Sequence, residues 1–343
     1  MSSTKAVVRR AAGRVLRAAP DPIKRQLRQG ASRLLAALPP RDIEAPSPPP
    51  VPPYWKPNAV PSPPNVSLVD VERLFRSWSV NGDAVGALDP YVDDSLWRFL
   101  HTWSMVEHEA GSCLEIGANP YFTTFLIDKH TKLELTLTNY YGHPGDAVET
   151  VSYEQPDTGE RTQLQYRSTM LNVEDDTFPF DDSSFNVVLF CETIEHLLMD
   201  PVHALCEIHR VLEPGGVLIL TTPNVARLQN VLSLLGGDNI YDPYSGFGPY
   251  GRHNREYTGA ELRLLLEFTG FEVEHLFTAD GHPWEPAAWP VYPMVVPLVQ
   301  GRRLDLGQYL FARARSLRPS RLGLPSFLYR SWPEGRIVNY PAS

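Results

Sequence analysis

The sequence predicts an α/β protein with a doubly wound sheet, and three features of its central part carry this prediction. Apolar runs suited to buried strands occupy Cys113–Ile116, Phe185–Cys191 and Val217–Thr222. The last two runs are joined by a helix with Asp200 as its N-cap and Pro201 as its first residue, which makes a right-handed βαβ unit. The first run turns abruptly into another helix. Strands and helices that alternate in this way build a doubly wound, mainly parallel sheet.

The segment before the first strand divides into three parts. Residues 1–38 form a basic arm whose weakly apolar helical face fits either an anionic membrane surface or a partly disordered tail. Residues 39–64 are a proline-rich, semi-rigid linker. Apolar and aromatic side chains at helical spacing then predict two helices, 69–79 and 91–106, within a helical cap formed by residues 65–110.

The first strand of the sheet leads into a helix predicted at 121–130. Gly117 permits a tight turn and the close approach of a ligand, while Asn119 suits the N-cap and Pro120 the first helical position. The free N–H groups at the start of such a helix favour an anionic group. Taken alone, this turn fits a purely structural role equally well.

The later elements continue the alternation with one exception. Pro156–Gly159 predicts a hairpin turn within Val151–Tyr166, where a plain helical crossover is the usual connection. A capping box at Thr258–Glu261 starts a helix that ends at Gly270, and Phe271–Phe277 is a further strand. Residues 318–343 form a basic and aromatic C-terminal extension, to which we assign packing or interaction only.

Four motifs occur in the order and spacing seen in class I S-adenosylmethionine-dependent methyltransferases, and the chain therefore resembles that family. They are Leu114–Gly117, Phe178–Val188, Glu192–Leu197 and Arg210–Gly216. The resemblance implies a Rossmann-like, seven-stranded methyltransferase sheet over residues 111–317, with S-adenosyl-L-methionine as cofactor. It also implies that the last strand, around 307–314, is antiparallel. Within the family the chain looks closest to the small-molecule and glycan O-methyltransferases.

The resemblance also assigns cofactor-binding residues. Those implied around the cofactor are Glu115, Gly117, Ala118, Asn119, Asn139, Asn172, Val173 and Cys191. Asn139 follows the strand predicted at 133–138 and stands where the family usually has a ribose-binding acid, and Asn172 stands where it commonly has an adenine-binding acid. Asn119 and Tyr121 replace two of the family's glycines. An asparagine still offers an acceptor and two donors, without the strength of a charged partner.

His196 is the predicted catalytic base, because it lies just beyond a strand at the rim where open α/β sheets bind ligands. A structural histidine bonded to Glu192 is the alternative. The same turn carries Glu192 and Glu195 at helical spacing, which would suit a divalent cation, but no further ligand is evident and no metal site is assigned. The loop 252–258 is expected to face the methyl acceptor. Its candidate residues are His253, Arg255 and Tyr257.

Composition limits the partners of the chain. The net charge is −9, yet the first 41 residues carry ten basic residues and a single acid, so the remainder is strongly acidic. An acidic body argues against nucleic acid as the acceptor. The three cysteines are predicted to be reduced core residues. No transmembrane run or signal-peptide pattern is visible, so we expect a cytoplasmic protein, with peripheral contact at the inner membrane face through residues 1–38.

The sequence leaves several functions open. The favoured one is O-methylation of a hydroxyl on a sugar, glycolipid or glycan precursor. The alternatives are a metal-assisted O-methyltransferase of a phenolic small molecule, a nicotinamide-dependent oxidoreductase, and a non-catalytic binding protein derived from the fold. The oxidoreductase is disfavoured, because 117–122 lacks the Gly-x-Gly-x-x-Gly pattern. The oligomeric state is left open.

Overall fold

The structure, a computed structural model, describes residues 59–299, 305–333 and 335–341. The arm predicted at 1–38 and most of the linker predicted at 39–64 lie outside the described residues. The helices are α1 (Leu68–Arg76), α2 (Asp89–Ser104), α3 (Phe122–His130), α4 (Pro201–Val211), α5 (Leu228–Gly236), α6 (Gly259–Phe268) and α7 (Tyr292–Val299). The strands are β1 (Ser79–Val80), β2 (Ala110–Ile116), β3 (Lys132–Asn139), β4 (Asp146–Glu154), β5 (Arg161–Met170), β6 (Phe185–Cys191), β7 (Leu212–Pro223), β8 (Phe271–Ala279), β9 (Tyr309–Ser316), β10 (Leu324–Pro325) and β11 (Ile337–Val338).

The main sheet confirms the predicted fold class. Its strand order is β1-β4-β5-β3-β2-β6-β7-β9-β8, and the central strands β5, β3, β2, β6 and β7 run parallel. Strand β9 is antiparallel to both of its neighbours, as the resemblance implied for the last strand of the domain. The sheet has nine strands rather than seven, because β4 pairs with β5 as a hairpin and β1 from the N-terminal cap pairs with β4.

Each central strand buries side chains on both faces of the sheet, as strands between two helical layers do. Leu114, Val188 and Leu218 pack on one face with α4 and α6. The next residue toward the N-terminus of each strand points to the other face, where α1, α2 and α3 cover it. The apolar runs in the sequence therefore correspond to strands that are buried on both sides.

The predicted N-terminal helices are present as α1 and α2. Phe75 of α1 lies 4.4 Å from Phe122 of α3, measured between ring centroids, and Trp78 lies 5.3 Å from the same ring. The indole N–H of Trp78 donates to the carbonyl oxygen of Pro120 at 2.9 Å. An aromatic cluster thus joins the N-terminal cap to the turn that follows β2.

The start of α3 differs from the prediction. The helix begins at Phe122 rather than Tyr121, and its N-cap is Tyr121, whose φ of 74° lies in the left-handed region. Neither Asn119 as N-cap nor Pro120 as first helical residue is correct. At Tyr121 the turn has a left-handed backbone, which favours glycine, although the residue is a tyrosine.

The C-terminal extension packs against the same core as α4 and α6. Strands β10 and β11 pair in parallel, and Phe327, Leu328 and Trp332 contact this core. Tyr329 is buried, and its hydroxyl donates to Oδ1 of Asp200, the N-cap of α4.

Cys113, Cys191 and Cys206 are free thiols within the described residues. A search of those residues finds no helix with the length and apolarity needed to span a bilayer.

Candidate functional site

Two cavities lie in this part of the molecule. The smaller cavity, of about 260 Å³, opens at the carboxyl ends of β2, β3 and β6. This rim is where open α/β sheets bind ligands. Five of the predicted cofactor residues line it: Gly117, Asn119, Asn139, Asn172 and Val173. The sequence reasoning missed other lining residues, namely Thr138, Tyr140, Tyr141, Leu171, Thr193, Leu197 and Tyr250.

The other three predicted cofactor residues lie outside the cavity lining. Glu115 is buried within β2 and accepts a hydrogen bond from the Thr124 hydroxyl at 2.7 Å. Burial raises the pKa of Glu115 to about 8, and the bond from Thr124 opposes this only in part. Ala118 and Cys191 flank the rim without lining the cavity. These three residues support the floor of the site.

Gly117 sits where a side chain has no room. Its φ is +74°, and a Cβ atom built there would lie 2.8 Å from the hydroxyl oxygen of Thr193. The backbone of the β2–α3 turn therefore faces the cavity directly, as a close approach to a ligand requires.

Asn139 is committed to internal hydrogen bonds. Its side-chain oxygen accepts from the backbone N–H of Asn119 at 2.9 Å. Its amide donates to the hydroxyls of Tyr121 at 3.0 Å and Ser168 at 3.1 Å, so both of its N–H donors are used. Asn139 therefore shapes the turn, and its side-chain oxygen has a second lone pair that can accept another hydrogen bond.

Glu149 lies on β4 of the hairpin β4–β5 and connects several segments near the β2–α3 turn. Its nearly buried carboxylate accepts hydrogen bonds from Tyr121 at 2.5 Å, Tyr141 at 2.7 Å, Asn81 at 3.0 Å and Asn119 at 3.3 Å. The four donors come from the N-terminal cap, the β2–α3 turn and the segment after β3. A single carboxylate thus ties together three separate parts of the chain.

The contacts of Tyr121 stabilise the β2–α3 turn at a position where the family that the sequence resembles has a glycine. Its ring is fully buried and stacks on Tyr166 of β5, with ring centroids 4.8 Å apart. Together with the bond to Glu149, this packing offsets the cost of a left-handed backbone at a bulky residue. The hairpin β4–β5 supplies both contacts.

Asn172 lies at the opposite end of the smaller cavity. Its amide donates to Asp175 at 2.9 Å and to the hydroxyl of Tyr250 at 3.3 Å. Tyr250 in turn donates to Glu174 at 3.1 Å. The glycine- and tyrosine-rich loop that precedes α6 is therefore anchored over this end of the cavity through Tyr250.

The turn that carries His196 follows β6 as a short 3-10 helix, Ile194–His196, rather than as an α-helical face. His196 lines the smaller cavity, and its Nδ1 lies 3.0 Å from the backbone oxygen of Arg252. A carbonyl only accepts, so Nδ1 carries the proton and Nε2 is left as an acceptor. Burial lowers the pKa of His196, and the neighbouring His253 lowers it further. The neutral imidazole is therefore favoured.

Glu192 also lines the smaller cavity, beside a buried arginine that the sequence reasoning missed. The guanidinium of Arg98 lies 3.8 Å from the Glu192 carboxylate and donates to Tyr91 at 2.7 Å. Burial raises the pKa of Glu192, and the charge of Arg98 opposes that shift. Helix α2, part of the predicted cap, thus reaches the site through Arg98.

The loop 249–257 is hydrogen-bonded to the turn that carries His196. Backbone N–H groups of Asn254 and Arg255 donate to the carbonyl oxygen of Glu195 at 2.7 and 3.1 Å. The Asn254 amide donates to the backbone oxygens of His196 and Pro249, both at 2.8 Å. These bonds bring two segments that are about 58 residues apart into one site.

Three side chains converge where these segments meet. The potential ligand atoms of Glu195, His196 and His253 all lie within 4.8 Å of one another, and the two imidazole rings are 5.1 Å apart. One oxygen of the fully buried Glu195 has no hydrogen-bond partner among the described residues, while the other accepts from Thr222 at 3.0 Å. Burial raises the pKa of Glu195, and the charge of Glu192 adds to this effect.

His253 differs from His196 in its protonation. Its Nδ1 lies 3.1 Å from Glu256, and its backbone N–H donates to Asp242. Burial alone would lower the pKa of His253, but the bond to Glu256 and the nearby acids raise it above its ordinary value. The site therefore pairs a histidine that favours the neutral form with one that favours the charged form.

The last two predicted site residues, Arg255 and Tyr257, face a second cavity on the other side of His253. Arg255 pairs with Glu261 at 2.8 Å, and its guanidinium lies 5.5 Å from the ring of Tyr257. Tyr257 is almost completely buried. Both residues thus lie beyond the histidine pair, away from the smaller cavity.

Comparisons with known proteins find similarity to methyltransferases. Residues 146–220 match the family described as "Methyltransferase domain". A "Probable S-adenosylmethionine-dependent methyltransferase" from Mycolicibacterium smegmatis is 40% identical over 96 residues, which cover 28% of this chain and 32% of that protein. The mitochondrial ubiquinone biosynthesis O-methyltransferase of Rattus norvegicus is 31% identical over 126 residues, which cover 36% of this chain and 33% of that protein. The matches therefore span about one third of the length of these relatives.

Among solved structures, a SAM-dependent methyltransferase from Archaeoglobus fulgidus superposes with a TM-score of 0.39 and 14% identity. The superposition covers 63% of this chain and 90% of that one. The family match and the curated relatives agree with the family that the four ordered motifs indicated. The chain thus contains a methyltransferase domain similar to those of S-adenosylmethionine-dependent methyltransferases, which supports S-adenosylmethionine as its cofactor.

Proposed function

We propose that this protein transfers a methyl group from S-adenosylmethionine to a hydroxyl of a sugar, glycolipid or glycan precursor, with His196 as general base. The observation that carries the proposal is the state of His196. Its Nδ1–H is held by the Arg252 carbonyl and its pKa is lowered by burial, which leaves Nε2 as the unprotonated acceptor at the rim of the sheet. A sugar hydroxyl is a poor nucleophile until a base removes its proton during attack.

The residues of the smaller cavity suit the cofactor. Gly117 gives backbone access at the end of β2, where a Cβ atom would collide with Thr193. Apolar Leu171 and Val173 lie beside Asn172 and offer a surface for a flat ring with a polar edge. Asn119 and the remaining acceptor of Asn139 offer polar partners for ribose.

The roles of the protein residues follow from this arrangement. When bound, the cofactor supplies a methyl group that its sulfonium activates. His196 accepts the proton of the acceptor hydroxyl at Nε2, and the Arg252 carbonyl keeps the ring in the required tautomer. Holding the acceptor in line for attack supplies much of the acceleration, of order 7–11 kcal/mol in favourable cases.

The first test is calorimetric titration with S-adenosylhomocysteine, followed by methyl transfer assays on sugar acceptors. We expect saturable binding, and we expect His196→Ala to retain binding while losing about 10²–10⁴-fold in kcat. The matched control is His108→Ala, since the His108 side chain is 90% exposed and remote from both cavities. Absence of binding would favour the non-catalytic alternative, and full activity of His196→Ala would overturn the base assignment.

The cluster of Glu195, His196 and His253 supports a second candidate, metal-assisted O-methylation of a phenolic small molecule. The Glu195 oxygen that has no partner among the described residues and the imidazole nitrogens of both histidines are the donor types that divalent transition metals bind. The bonds from Nδ1 of each histidine to Arg252 and Glu256 are the kind that orient metal ligands. The rat relative, an O-methyltransferase of ubiquinone biosynthesis, adds support.

Metal titration separates the two candidates. If the metal-assisted reaction is correct, Zn²⁺ or Mn²⁺ will bind with one-to-one stoichiometry, His253→Ala will weaken that binding, and a chelator will abolish transfer. If transfer to a sugar hydroxyl survives the chelator, the base-catalysed reaction stands.

A further inference from the structure

The second cavity, of about 720 Å³, begins where the smaller one ends. Leu197 lines both cavities, and His253 of the larger one lies 5.1 Å, between ring centroids, from His196 of the smaller one. Its volume falls within the usual range for small-molecule sites, about 300–1,000 Å³. A molecule held in the larger cavity would therefore reach the histidine pair at one of its ends.

One wall of the larger cavity is the C-terminal extension. Leu328, Tyr329, Arg330 and Trp332 line it. The Tyr329 hydroxyl donates to Asp200 at 3.0 Å and accepts from the backbone N–H of Val202 at 3.4 Å. This anchor on the first turn of α4 fixes the position of its neighbours Leu328 and Arg330.

The charges in the larger cavity leave one cation without a counterion. Glu256 is paired with Arg227 and His253, and Glu261 is paired with Arg255. Asp242 accepts the backbone N–H of His253 and lies 3.7 Å from its ring. Arg330 is exposed and has no ion pair or hydrogen bond to any residue that the structure describes.

The remaining lining is apolar and aromatic, and much of it is open to solvent. Met199 is 61% exposed, Leu198 45% and Tyr241 80%, and Trp332 is half-buried beside them. Exposed apolar side chains that line a concave surface are typical of a site that a ligand covers. Aromatic rings such as Tyr241 and Trp332 offer flat apolar faces for a sugar ring.

We propose that the larger cavity is the acceptor site and that its ligand is a sugar with a carboxylate or phosphate group bound by Arg330. The inference rests on the proposed function, because it names the acceptor class of the same site. Arg330 forms the planar, two-pronged hydrogen bonds that such anions accept. The acceptor hydroxyl then lies beside His253, where the larger cavity approaches His196.

The test compares three probes: glucuronate, glucose 6-phosphate and neutral glucose. Each is titrated into the protein by calorimetry, with and without S-adenosylhomocysteine. We expect at least one charged sugar to bind about tenfold more tightly than glucose, since a charge-assisted hydrogen bond is lost with the neutral probe. Comparison of glucuronate with glucose 6-phosphate shows whether the site binds a carboxylate or a phosphate.

Arg330→Ala is expected to abolish that preference while the affinity for S-adenosylhomocysteine stays unchanged. Arg336→Ala is the matched control, because Arg336 is an exposed cation of the same extension that does not line the cavity. The inference is wrong if both charged sugars bind no better than glucose, or if Arg330→Ala binds them like the parent protein. Failure of S-adenosylhomocysteine to bind, with the charged-sugar preference intact, would instead overturn the proposed methyltransferase function.

Discussion

His196 and His253 have opposite protonation preferences although their rings lie 5.1 Å apart. The difference comes from their partners, since His196 faces a neutral backbone carbonyl and His253 faces the carboxylate of Glu256. When His253 is protonated, its positive charge lowers the pKa of His196 further. The sequence predicted His196 as a base, but not the neighbour that keeps it unprotonated.

The pH dependence of transfer tests this pairing. Because His196 must be neutral to accept a proton, activity falls as pH drops through its pKa, and that limb should lie below the ordinary value of about 6.5. Removing the positive neighbour in His253→Ala should raise the pKa of His196 and shift the limb to higher pH. The check is a kcat/KM profile for both proteins, and an unmoved or downward-shifted limb in the variant would contradict the pairing.

Gly117 gives a second prediction at the scale of one residue. In Gly117→Val the branched side chain meets Thr193 and is strained at φ +74°, so we expect binding of S-adenosylhomocysteine to be abolished. Gly159→Val is the control, because Gly159 has a similar φ of +69° but open space around its Cβ position. Calorimetry measures binding and circular dichroism verifies folding. Equal loss of binding in both variants would point to backbone strain rather than to a filled cavity.

The hairpin β4–β5 shows what an inserted element contributes. Its turn was predicted from Pro156–Gly159, because turn chemistry is local and visible in sequence. The structural role of the hairpin was not predicted, because the hydrogen bonds of Glu149 join segments that are distant in sequence. Its partners include Asn81, Asn119 and Tyr121. The same limit explains why β1, a two-residue strand, and the pair Arg98–Glu192 were missed.

Glu149 allows a prediction at the scale of this element. Glu149→Ala leaves four donors without their acceptor, and we expect the free energy of unfolding to fall by about 3 kcal/mol. Glu149→Gln keeps one acceptor oxygen and should lose less. Urea denaturation measures both, with Glu160→Ala as the exposed control from the same hairpin. A Glu149→Ala protein that unfolds at the parent urea concentration would show that the network contributes nothing.

At the scale of the whole molecule, the fold was largely predictable and the assembled site was not. Buried strands such as Phe185–Cys191 and capped helices such as Gly259–Phe268 depend on local patterns, so they matched the prediction. The site joins residues from β2, β6, the loop before α6 and the hairpin, whose proximity no local pattern encodes. Contact of residues 1–38 with an anionic membrane stays a prediction.

At the scale of the whole molecule, we predict that the hydrogen bonds of Tyr329 in the C-terminal extension stabilise the protein. In Tyr329→Phe the bonds to Asp200 and Val202 are lost, and we expect the free energy of unfolding to fall by about 1–2 kcal/mol. Charged-sugar binding in the larger cavity should weaken as well, since Arg330 and Trp332 lose their anchor. Tyr340→Phe is the matched control, because Tyr340 packs its ring on Phe268 and makes no hydroxyl bond to the described residues. Equal stability of the two variants would mean that Tyr329 is no anchor.

The left-handed Tyr121 has a consequence for engineering and for evolution. Substituting the family's glycine at this one position relieves the backbone, but it also removes a stacking partner of Tyr166 and a donor to Glu149. We therefore expect Tyr121 and Glu149 to be an epistatic pair, in which restoring the glycine alone lowers stability. Consensus design, which restores common residues singly, should make this protein less stable here, whereas exchange of the loop together with the hairpin should be tolerated.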